Sequence, residues 1–110
     1  ILANLEADTS DWATKELAVL ASKSPQTCKV ALRQLAEGGE CKTFAQNMAM
    51  EYRIASRVLV RPDFAEGVRA VIVDKTGDPS WQPARPEDVT DELLDAIFAP
   101  LPQNEEWTPL

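Results

Sequence analysis

The fold is decided by residues 61–81, which read RPDFAEGVRAVIVDKTGDPSW. Asp63 follows a proline, and Glu66 lies three positions later. This spacing is typical of a capping box, in which side chains accept hydrogen bonds from the free N–H groups of a helix start. Four apolar residues then follow an i, i+4, i+7, i+8 pattern: Phe64, Val68, Val71 and Ile72. Because this pattern places them on one face of a helix, the stretch predicts a helix with a buried apolar stripe.

The end of this helix is also marked in the sequence. Lys75 falls in the predicted last turn, where a positive charge complements the helix dipole. The segment TGDP at residues 76–79 then stops the helix. The predicted helix therefore has about three turns. Because residues 68–73 are apolar and rich in β-branched side chains, a strand is the alternative interpretation for them.

Gly67 is out of place in the first turns of this helix, because glycine there costs roughly 1 kcal/mol relative to alanine. A glycine at such a position indicates that another group packs too closely for a Cβ atom. Two interpretations are open. The neighbour is either a helix of this domain that crosses here, or a ligand or another part of a larger protein.

Composition limits the classes to which the chain can belong. Its 110 residues form one domain, and a hydrophobic content of 45% excludes disorder throughout. A net charge of −7 disfavours nucleic acid and anionic membranes as partners. No apolar run approaches the roughly 18 residues of a membrane span, and no secretory signal is present, so we expect a protein that is not secreted. The chain begins with Ile1, which suggests a processed or excised chain.

Histidine is absent from the sequence. Its absence excludes Ser–His and Cys–His nucleophilic pairs and histidine metal ligands within this chain, and no metal site is predicted. The two cysteines, Cys28 and Cys41, are not arranged as a CxxC pair. We expect reduced thiols, with Cys28 acting as a small buried hydrophobic residue.

Three further helices are predicted upstream. Two span residues 11–21 and 44–60, and the one between them begins after Ser24 and ends at Gly38-Gly39. Each starts at a residue type that caps helix N-termini: Ser10, Ser24 and Thr43. The apolar stripe of the middle helix comprises Cys28, Ala31, Leu32 and Leu35. Residues 1–8 fit the end of a helix that begins upstream.

The helix over residues 44–60 has two distinct faces. Its apolar face comprises Phe44, Met48, Tyr52, Ala55 and Leu59. Arg53, Arg57 and Arg61 recur at every fourth position along another face. One interpretation is a solvated face that is paired with nearby acids, such as Glu51 or those of the C-terminal tail. The other is an anion site for the phosphates of a nucleotide-bearing cofactor.

The composition changes after residue 78, because six of the eight prolines lie in the rest of the chain. Residues 79–89 should be extended and held against the body by Trp81. Thr90 should cap a short helix, 90–98, with Val89 and Leu94 as a hydrophobic staple. We therefore predict an all-α fold. Residues 1–78 form a helical bundle region with four main helices, and residues 79–110 form a proline-rich tail of the same domain. Part of the apolar surface should be left for another partner.

The residues described above resemble a known family. The pattern Asp63-x-x-Glu66-Gly67-x-x-Ala70 is similar to the C-terminal helix of the crotonase (enoyl-CoA hydratase/isomerase) superfamily. The longer string EGVRAVIVDK at residues 66–75, with PSW after it at residues 79–81, most resembles the 3-hydroxyisobutyryl-CoA hydrolase branch. The segments at residues 24–35 and 50–53 are similar too. The resemblance implies that the chain is the C-terminal third or so of such an enzyme.

This resemblance carries expectations about function. The family polarises an acyl-CoA thioester carbonyl with two backbone N–H groups and uses a carboxylate as base or nucleophile. Those groups belong to an N-terminal core that has no counterpart in this sequence, so the resemblance assigns no catalytic residue here. It implies that the chain is inactive alone and that its partner is the N-terminal crotonase core of the parent protein. The hydrolase branch serves valine breakdown.

Binding and location are implied in the same way. Helices of this region cover the acyl-CoA site or mediate subunit contacts, which allows a homo-oligomer. No tightly bound cofactor is expected, because the CoA thioester is the substrate. Lys75 matches a position from which some relatives contact CoA phosphates, although Asp74 stands where they carry a second cation. A eukaryotic relative would be mitochondrial and a bacterial one cytoplasmic. The alternative function is a non-catalytic crotonase-like scaffold or oligomerisation module.

Overall fold

A computed structural model describes all 110 residues, which form helices and no strands. Six α-helices follow one another along the chain: α1 (Leu2–Ala7), α2 (Asp11–Ala21), α3 (Pro25–Glu40), α4 (Phe44–Val58), α5 (Pro62–Val68) and α6 (Asp91–Phe98). A π-helical segment (Arg69–Val73) continues α5, and a short 3-10 helix (Pro86–Asp88) precedes α6. The predicted all-α fold is confirmed. None of the helices combines the length and the hydropathy of a membrane-spanning segment.

The hydrophobic core lies between α3, α4 and α6. It comprises seven buried side chains: Val30, Met50, Ile54, Val89, Leu94, Ile97 and Phe98. The short C-terminal helix supplies three of these residues, and Val89 and Leu94 both lie in the core, as the predicted staple requires. The tail that follows residue 78 is therefore part of the folded body.

The predicted N-caps are confirmed at four helices. The side chains of Ser10, Ser24, Thr43 and Thr90 each accept a hydrogen bond from a backbone N–H three positions later. Helix α3 also carries Pro25 at its first position. Capping succeeds as a prediction because donor and acceptor lie within one turn of each other, so the remainder of the fold has little influence.

The predicted end of α3 is wrong, because the helix continues through Gly38 and Gly39 to Glu40. Neither glycine adopts the left-handed conformation that ends a helix. A Cβ atom on Gly38 would lie 3.3 Å from Oδ1 of Asn47 and 3.6 Å from Cε of Met50. Gly38 therefore allows α4 to approach closely, and it does not terminate α3.

The predicted cap of the helix in residues 61–81 is also wrong. Arg61 is the N-cap and makes no side-chain capping bond, and Pro62 occupies the first helical position. Asp63, 5% exposed, turns inward toward Ser24 and the backbone of Gln82. After Val68 the helix widens, and the Asp74 N–H donates to the Arg69 carbonyl five positions back, at 2.7 Å.

The apolar stripes of three helices point outward. In α5 and the π-helical segment that follows it, the apolar stripe that we expected to be buried is exposed to solvent: Phe64 is 48%, Val71 63% and Ile72 64% exposed. In α3, Leu32 and Leu35 are exposed, whereas Val30 enters the core. In α4, the apolar face of Phe44, Tyr52 and Leu59 is exposed, and a second stripe of Met50, Ile54 and Val58 is used for the core.

The exposed area of the chain is large for its mass. A compact monomer of this size exposes about 6,000 Å², whereas this chain of 12.1 kDa exposes 7739 Å². Its radius of gyration is 16.1 Å, against about 13 Å for a compact domain of similar length. Only 13 of its 110 residues are buried. The helices therefore form a thin, open layer whose outer apolar faces have no partner within the chain.

The neighbour that packs against Gly67 lies within this chain, but it is Trp81 of the tail and not a crossing helix. A Cβ atom on Gly67 would lie 3.4 Å from the indole ring, which is an ordinary van der Waals distance, so the expected approach too close for a Cβ atom is wrong. The indole N–H donates to the Ser22 carbonyl at 3.0 Å. Trp81 thus holds the tail against both α5 and the end of α2, as predicted.

We expect the substitution Gly67→Ala to leave the melting temperature unchanged or to raise it slightly. The new methyl group fits beside Trp81, and alanine is favoured over glycine in a helix by roughly 1 kcal/mol. Gly77→Ala is the control, because Gly77 has φ +67° and open space around it. This control should destabilise by about 1 kcal/mol. If Gly67→Ala lost as much stability as the control, the conclusion that a methyl group fits beside Trp81 would be contradicted.

Candidate functional site

The arginine row of α4 is occupied by contacts within the chain. Arg53 pairs with Glu106 of the tail at 2.7 Å. Arg57 donates to the carbonyl oxygens of Ile97, at 3.2 Å, and Pro100, at 3.1 Å. Arg53 and Arg57 therefore anchor the C-terminal part of the chain, and only Arg53 pairs with an acid, as the interpretation of a face paired with acids expects. Arg61 binds the side-chain oxygen of the buried Gln26, which leaves no free guanidinium group in the row for a phosphate.

Asp63 forms a buried cross-link between three segments. The Ser24 hydroxyl donates to one carboxylate oxygen of Asp63 at 2.5 Å, and the Gln82 N–H donates to the other at 2.7 Å. The same Ser24 oxygen accepts the Thr27 N–H at the start of α3. One buried carboxylate therefore connects the starts of α3 and α5 to the tail. The local sequence indicated only a helix cap at this position.

The turn at residues 74–80, here called the Lys75 turn, is closed by a pair of charged side chains. Arg69 forms two hydrogen bonds with Glu66, at 2.8 and 2.7 Å, and a third with Asp74, at 2.7 Å. The Ser80 N–H donates to Glu66 at 2.8 Å. Arg69 therefore holds one end of the turn directly and the other end through Glu66.

Hydrogen bonds within this cluster shift the pKa values of Glu66 and Arg69 in favour of their charged forms. Hydrogen bonds from Arg69 and from the Ser80 N–H lower the pKa of Glu66 to about 2. Hydrogen bonds to Glu66 and Asp74 raise the pKa of the Arg69 guanidinium. Glu66 and Arg69 thus keep their charges near neutral pH, which suits a structural clamp.

Lys75, the candidate phosphate contact, lies near the tip of this turn. Its side chain is exposed and forms no salt bridge. Its backbone has φ 56°, a left-handed conformation that is unusual for a residue other than glycine. The anion beside it in sequence, Asp74, is bonded to Arg69. Lys75 therefore presents an unpaired positive charge to its surroundings.

The carboxylate contacts predict how stability changes with pH. Arg53 and the Leu101 N–H lower the pKa of Glu106, as Arg69 lowers that of Glu66. Because both values fall below 4.5 on folding, these contacts stabilise the fold above about pH 4.5 and are lost as the pH falls toward about 2.

We expect a melting temperature that is flat from about pH 7 to pH 5 and decreases below about pH 4.5. Thermal unfolding followed by circular dichroism measures this. In Glu66→Gln, which cannot titrate at this position, the decrease should be smaller. A variant that loses stability on acidification as steeply as the original chain would show that Glu66 contributes nothing.

None of the five groups with a shifted pKa has the character of a general acid or base. The five groups with shifted pKa values are two arginines held charged and three carboxylates held ionised. A general acid or base needs a pKa near the working pH, so these shifts point away from proton transfer. No group of three or more cysteine or acidic side chains is placed to hold a metal ion.

An apolar groove of about 480 Å³ lies between α1, α2 and α3. Leu2, Leu20, Pro25, Cys28 and Leu32 line it, with Lys23 at its edge. Cys28 is half-buried here, not fully buried as expected, and both cysteines are unpaired. The groove continues the exposed apolar face of α3 and belongs to the same unpartnered surface.

Sequence reasoning identified Lys75 but missed Arg69, which controls its surroundings. The signal was present, because Glu66 lies three positions before Arg69 and Asp74 five positions after it. The sequence did not show that Glu66, Arg69 and Asp74 form one cluster. The π-helical segment brings Asp74 close to Arg69, and no residue pattern marks that segment in the sequence.

Comparison with known proteins finds relatives whose names refer to acyl-CoA compounds. It is 45% identical over 101 residues to the mitochondrial 3-hydroxyisobutyryl-CoA hydrolase of Mus musculus. The aligned residues make up 92% of this chain and 26% of that protein. The corresponding hydrolase of Bos taurus is 43% identical over 105 residues, with coverages of 96% and 27%. The chain therefore spans about a quarter of the length of these curated relatives, and it is similar to their C-terminal part.

Solved structures and the family comparison agree with this result. An enoyl-CoA hydratase from Rhodobacter sphaeroides 2.4.1 superposes with a TM-score of 0.89 at 33% identity, covering 98% of this chain and 32% of that one. A carnitinyl-CoA dehydratase from Mycobacterium thermoresistibile gives 0.83 at 27% identity, with coverages of 93% and 29%. The sequence model described as enoyl-CoA hydratase/isomerase matches residues 1–98. The chain belongs to the enoyl-CoA hydratase/isomerase family.

Proposed function

We propose that this chain is the C-terminal helical region of an acyl-CoA thioester hydrolase that acts on 3-hydroxyisobutyryl-CoA. In this proposal its outward apolar faces pack on the N-terminal crotonase core of the same protein, where they cover the acyl-CoA site or contribute to subunit contacts. The chain releases no product alone, because the core supplies the groups that polarise and attack the thioester.

The observation that carries the proposal is the unpartnered apolar surface. The chain exposes about 1,700 Å² more than a compact monomer of its mass. Permanent interfaces bury on the order of 1,000–2,500 Å² on each side, so the excess is what one such interface would cover. The stripes that point outward on α3, α4 and the helix of residues 61–81 supply the apolar part of that surface.

The names of the relatives support an acyl-CoA substrate. The hydrolase, the hydratase and the dehydratase carry different acyl groups in their names but share coenzyme A. A helical region common to all three suits the part of the substrate that they share. The closer identity to the hydrolases, 45% against 33% for the hydratase structure, favours thioester hydrolysis for the parent protein.

Lys75 is our candidate for direct contact with the substrate. We propose that its free ammonium group binds a phosphate of CoA, which carries several negative charges. An exposed, unpaired lysine on an internally braced turn can reach such a group without breaking an existing ion pair. Coenzyme A is then a substrate component, and no tightly bound cofactor is required.

The proposal is tested by separating the two parts of the parent protein. The N-terminal core is expressed alone, and this chain is added to it in increasing amounts. We expect association and a recovery of CoA release that saturates with the added chain. The alternative of a scaffold or oligomerisation module would be favoured by a different result. In that case the two parts associate, CoA release does not increase at any concentration of the chain, and the intact parent protein is also inactive. Absence of association would contradict the proposal.

A further inference from the structure

Arg69 has three partners and lies beside the only unpaired cation of its cluster. Its guanidinium group binds Glu66 through two hydrogen bonds and Asp74 through one, and it lies 3.8 Å from Asp78. The three carboxylates all belong to the Lys75 turn or to the helix that leads into it. Lys75 follows Asp74 directly in the sequence and forms no salt bridge with any of them.

We infer that Arg69 is a positioning residue that keeps Lys75 free to bind a phosphate-bearing ligand. This inference rests on the phosphate contact proposed above for Lys75. It adds that the contact depends on a second residue, one that does not touch the ligand and acts by occupying the competing carboxylates.

The physical argument is a competition for one ammonium group. Without Arg69, the carboxylates of Glu66, Asp74 and Asp78 would lose their cationic partner, and Lys75 is the cation that follows Asp74 directly in the sequence. A lysine side chain is a flexible point charge, so it pairs with whichever anion is available. Arg69 is the stronger competitor for these carboxylates, because its planar fork binds Glu66 with two parallel hydrogen bonds.

Backbone hydrogen bonds also hold the turn on both sides of Lys75. The Asp74 N–H donates to the Arg69 carbonyl, and the Gly77 N–H donates to the Ala70 carbonyl at 3.0 Å. Between these two bonds the chain reverses at Lys75, with φ 56°. The Arg69 side chain closes the same turn through Asp74, and through Glu66 to Ser80. The direction in which Lys75 leaves the turn is therefore set by contacts that Arg69 makes.

The test uses the full-length protein and two substrates with the same acyl group. One is the CoA thioester, and the other is the pantetheine thioester, which lacks the nucleotide phosphates. In Lys75→Gln we expect KM for the CoA thioester to rise about 10-fold, the effect of losing one charge-assisted hydrogen bond. The value of kcat and both constants for the pantetheine thioester should not change.

The variant Arg69→Gln should reproduce this pattern, because Lys75 is then captured by Asp74. Adding Asp74→Asn to Arg69→Gln should restore most of the lost affinity, since the competing anion is gone. A purely structural role for Arg69 predicts the opposite, with the double variant no better than the single one. Arg69→Lys keeps a positive charge that can pair with Asp74, but it lacks the planar guanidinium group. Its KM should therefore lie between those of the original protein and Arg69→Gln.

The outcomes separate the two claims. If Lys75→Gln leaves KM unchanged with both substrates, the phosphate contact is wrong, and the inference about Arg69 is wrong with it. If Lys75→Gln raises KM but Arg69→Gln does not, or if Arg69→Gln affects both thioesters equally, only the role of Arg69 is overturned. If Arg69→Gln does not fold, the triple variant Arg69→Lys, Asp74→Asn, Asp78→Asn replaces it. An unchanged KM for the CoA thioester in this triple variant would support competition for Lys75, and a raised KM would contradict it.

Discussion

Replacing Asp63 with alanine is expected to lower the free energy of unfolding of this chain by about 3 kcal/mol, since two hydrogen bonds to a buried carboxylate are lost. The loss also leaves the Gln82 N–H without its partner, although the Ser24 hydroxyl can rotate. A change of this size corresponds to a decrease in melting temperature of more than about 10 °C for a domain of this length. Urea and thermal unfolding followed by circular dichroism measure it.

Two further variants identify the cause of this loss. Asp63→Asn keeps an acceptor for the Gln82 N–H, so it should lose less than half as much stability as the alanine variant. Asp78→Ala removes an acid whose side chain is 72% exposed and whose contact with Arg69 is 3.8 Å long. Its effect should stay within about 0.5 kcal/mol. An Asp63→Ala variant that is as stable as Asp78→Ala would show that the cross-link contributes little.

Introducing charge on the outward face of α4 is expected to abolish docking while leaving the chain itself folded. Phe44 is 77% and Leu59 54% exposed in the isolated chain, so the double variant Phe44→Asp, Leu59→Asp should change its unfolding free energy by less than about 1 kcal/mol. Two charges buried without partners in the interface should weaken association with the N-terminal core more than about 100-fold.

The measurements for this variant are titration calorimetry with the core and the fluorescence of a hydrophobic dye. The isolated original chain should bind the dye or dimerise through its open face, and the double variant should do so less. Lys15→Asp on α2 is the control, because it alters an exposed polar position. Equal docking of the double variant and the control would contradict the assignment of this face.

Helix starts could be predicted from the sequence, whereas the buried faces could not. The caps at Ser10, Ser24, Thr43 and Thr90 depend on atoms a few positions apart. A buried face depends on what the helix packs against. Helix α4 is apolar over more than half of its circumference, and periodicity alone did not show which side meets α3 and α6. The face with Phe44 and Leu59 was recognised as apolar, and the core uses the neighbouring one.

Two positions show why local rules failed elsewhere. Asp63 has the spacing of a helix cap, but a buried carboxylate is better satisfied by donors from Ser24 and Gln82, which lie 39 and 19 positions away. Gly38 is of the residue type that ends helices, but the close approach of the Asn47 side chain explains it better. In both cases a long-range contact outweighs the local preference, and no pattern in the sequence marks that contact.

The candidate site was predictable only in part. Lys75 followed from the resemblance of residues 66–75, whereas its exposure was seen only in the structure. The arrangement around it depends on the π-helical segment at Arg69–Val73, which moves Asp74 under Arg69. Helix widening of this kind leaves residue types unchanged, so the pairing of Asp74 was visible only in three dimensions.

The most direct test of the account is CoA release from 3-hydroxyisobutyryl-CoA, measured with this chain alone and with the intact parent protein. Free thiol is detected by its reaction with a chromogenic disulfide. The account predicts steady release by the intact protein and none above the spontaneous rate by the 110 residues alone. Release by the isolated chain would contradict it, because the reacting groups would then lie among residues to which we assign only docking and phosphate contact.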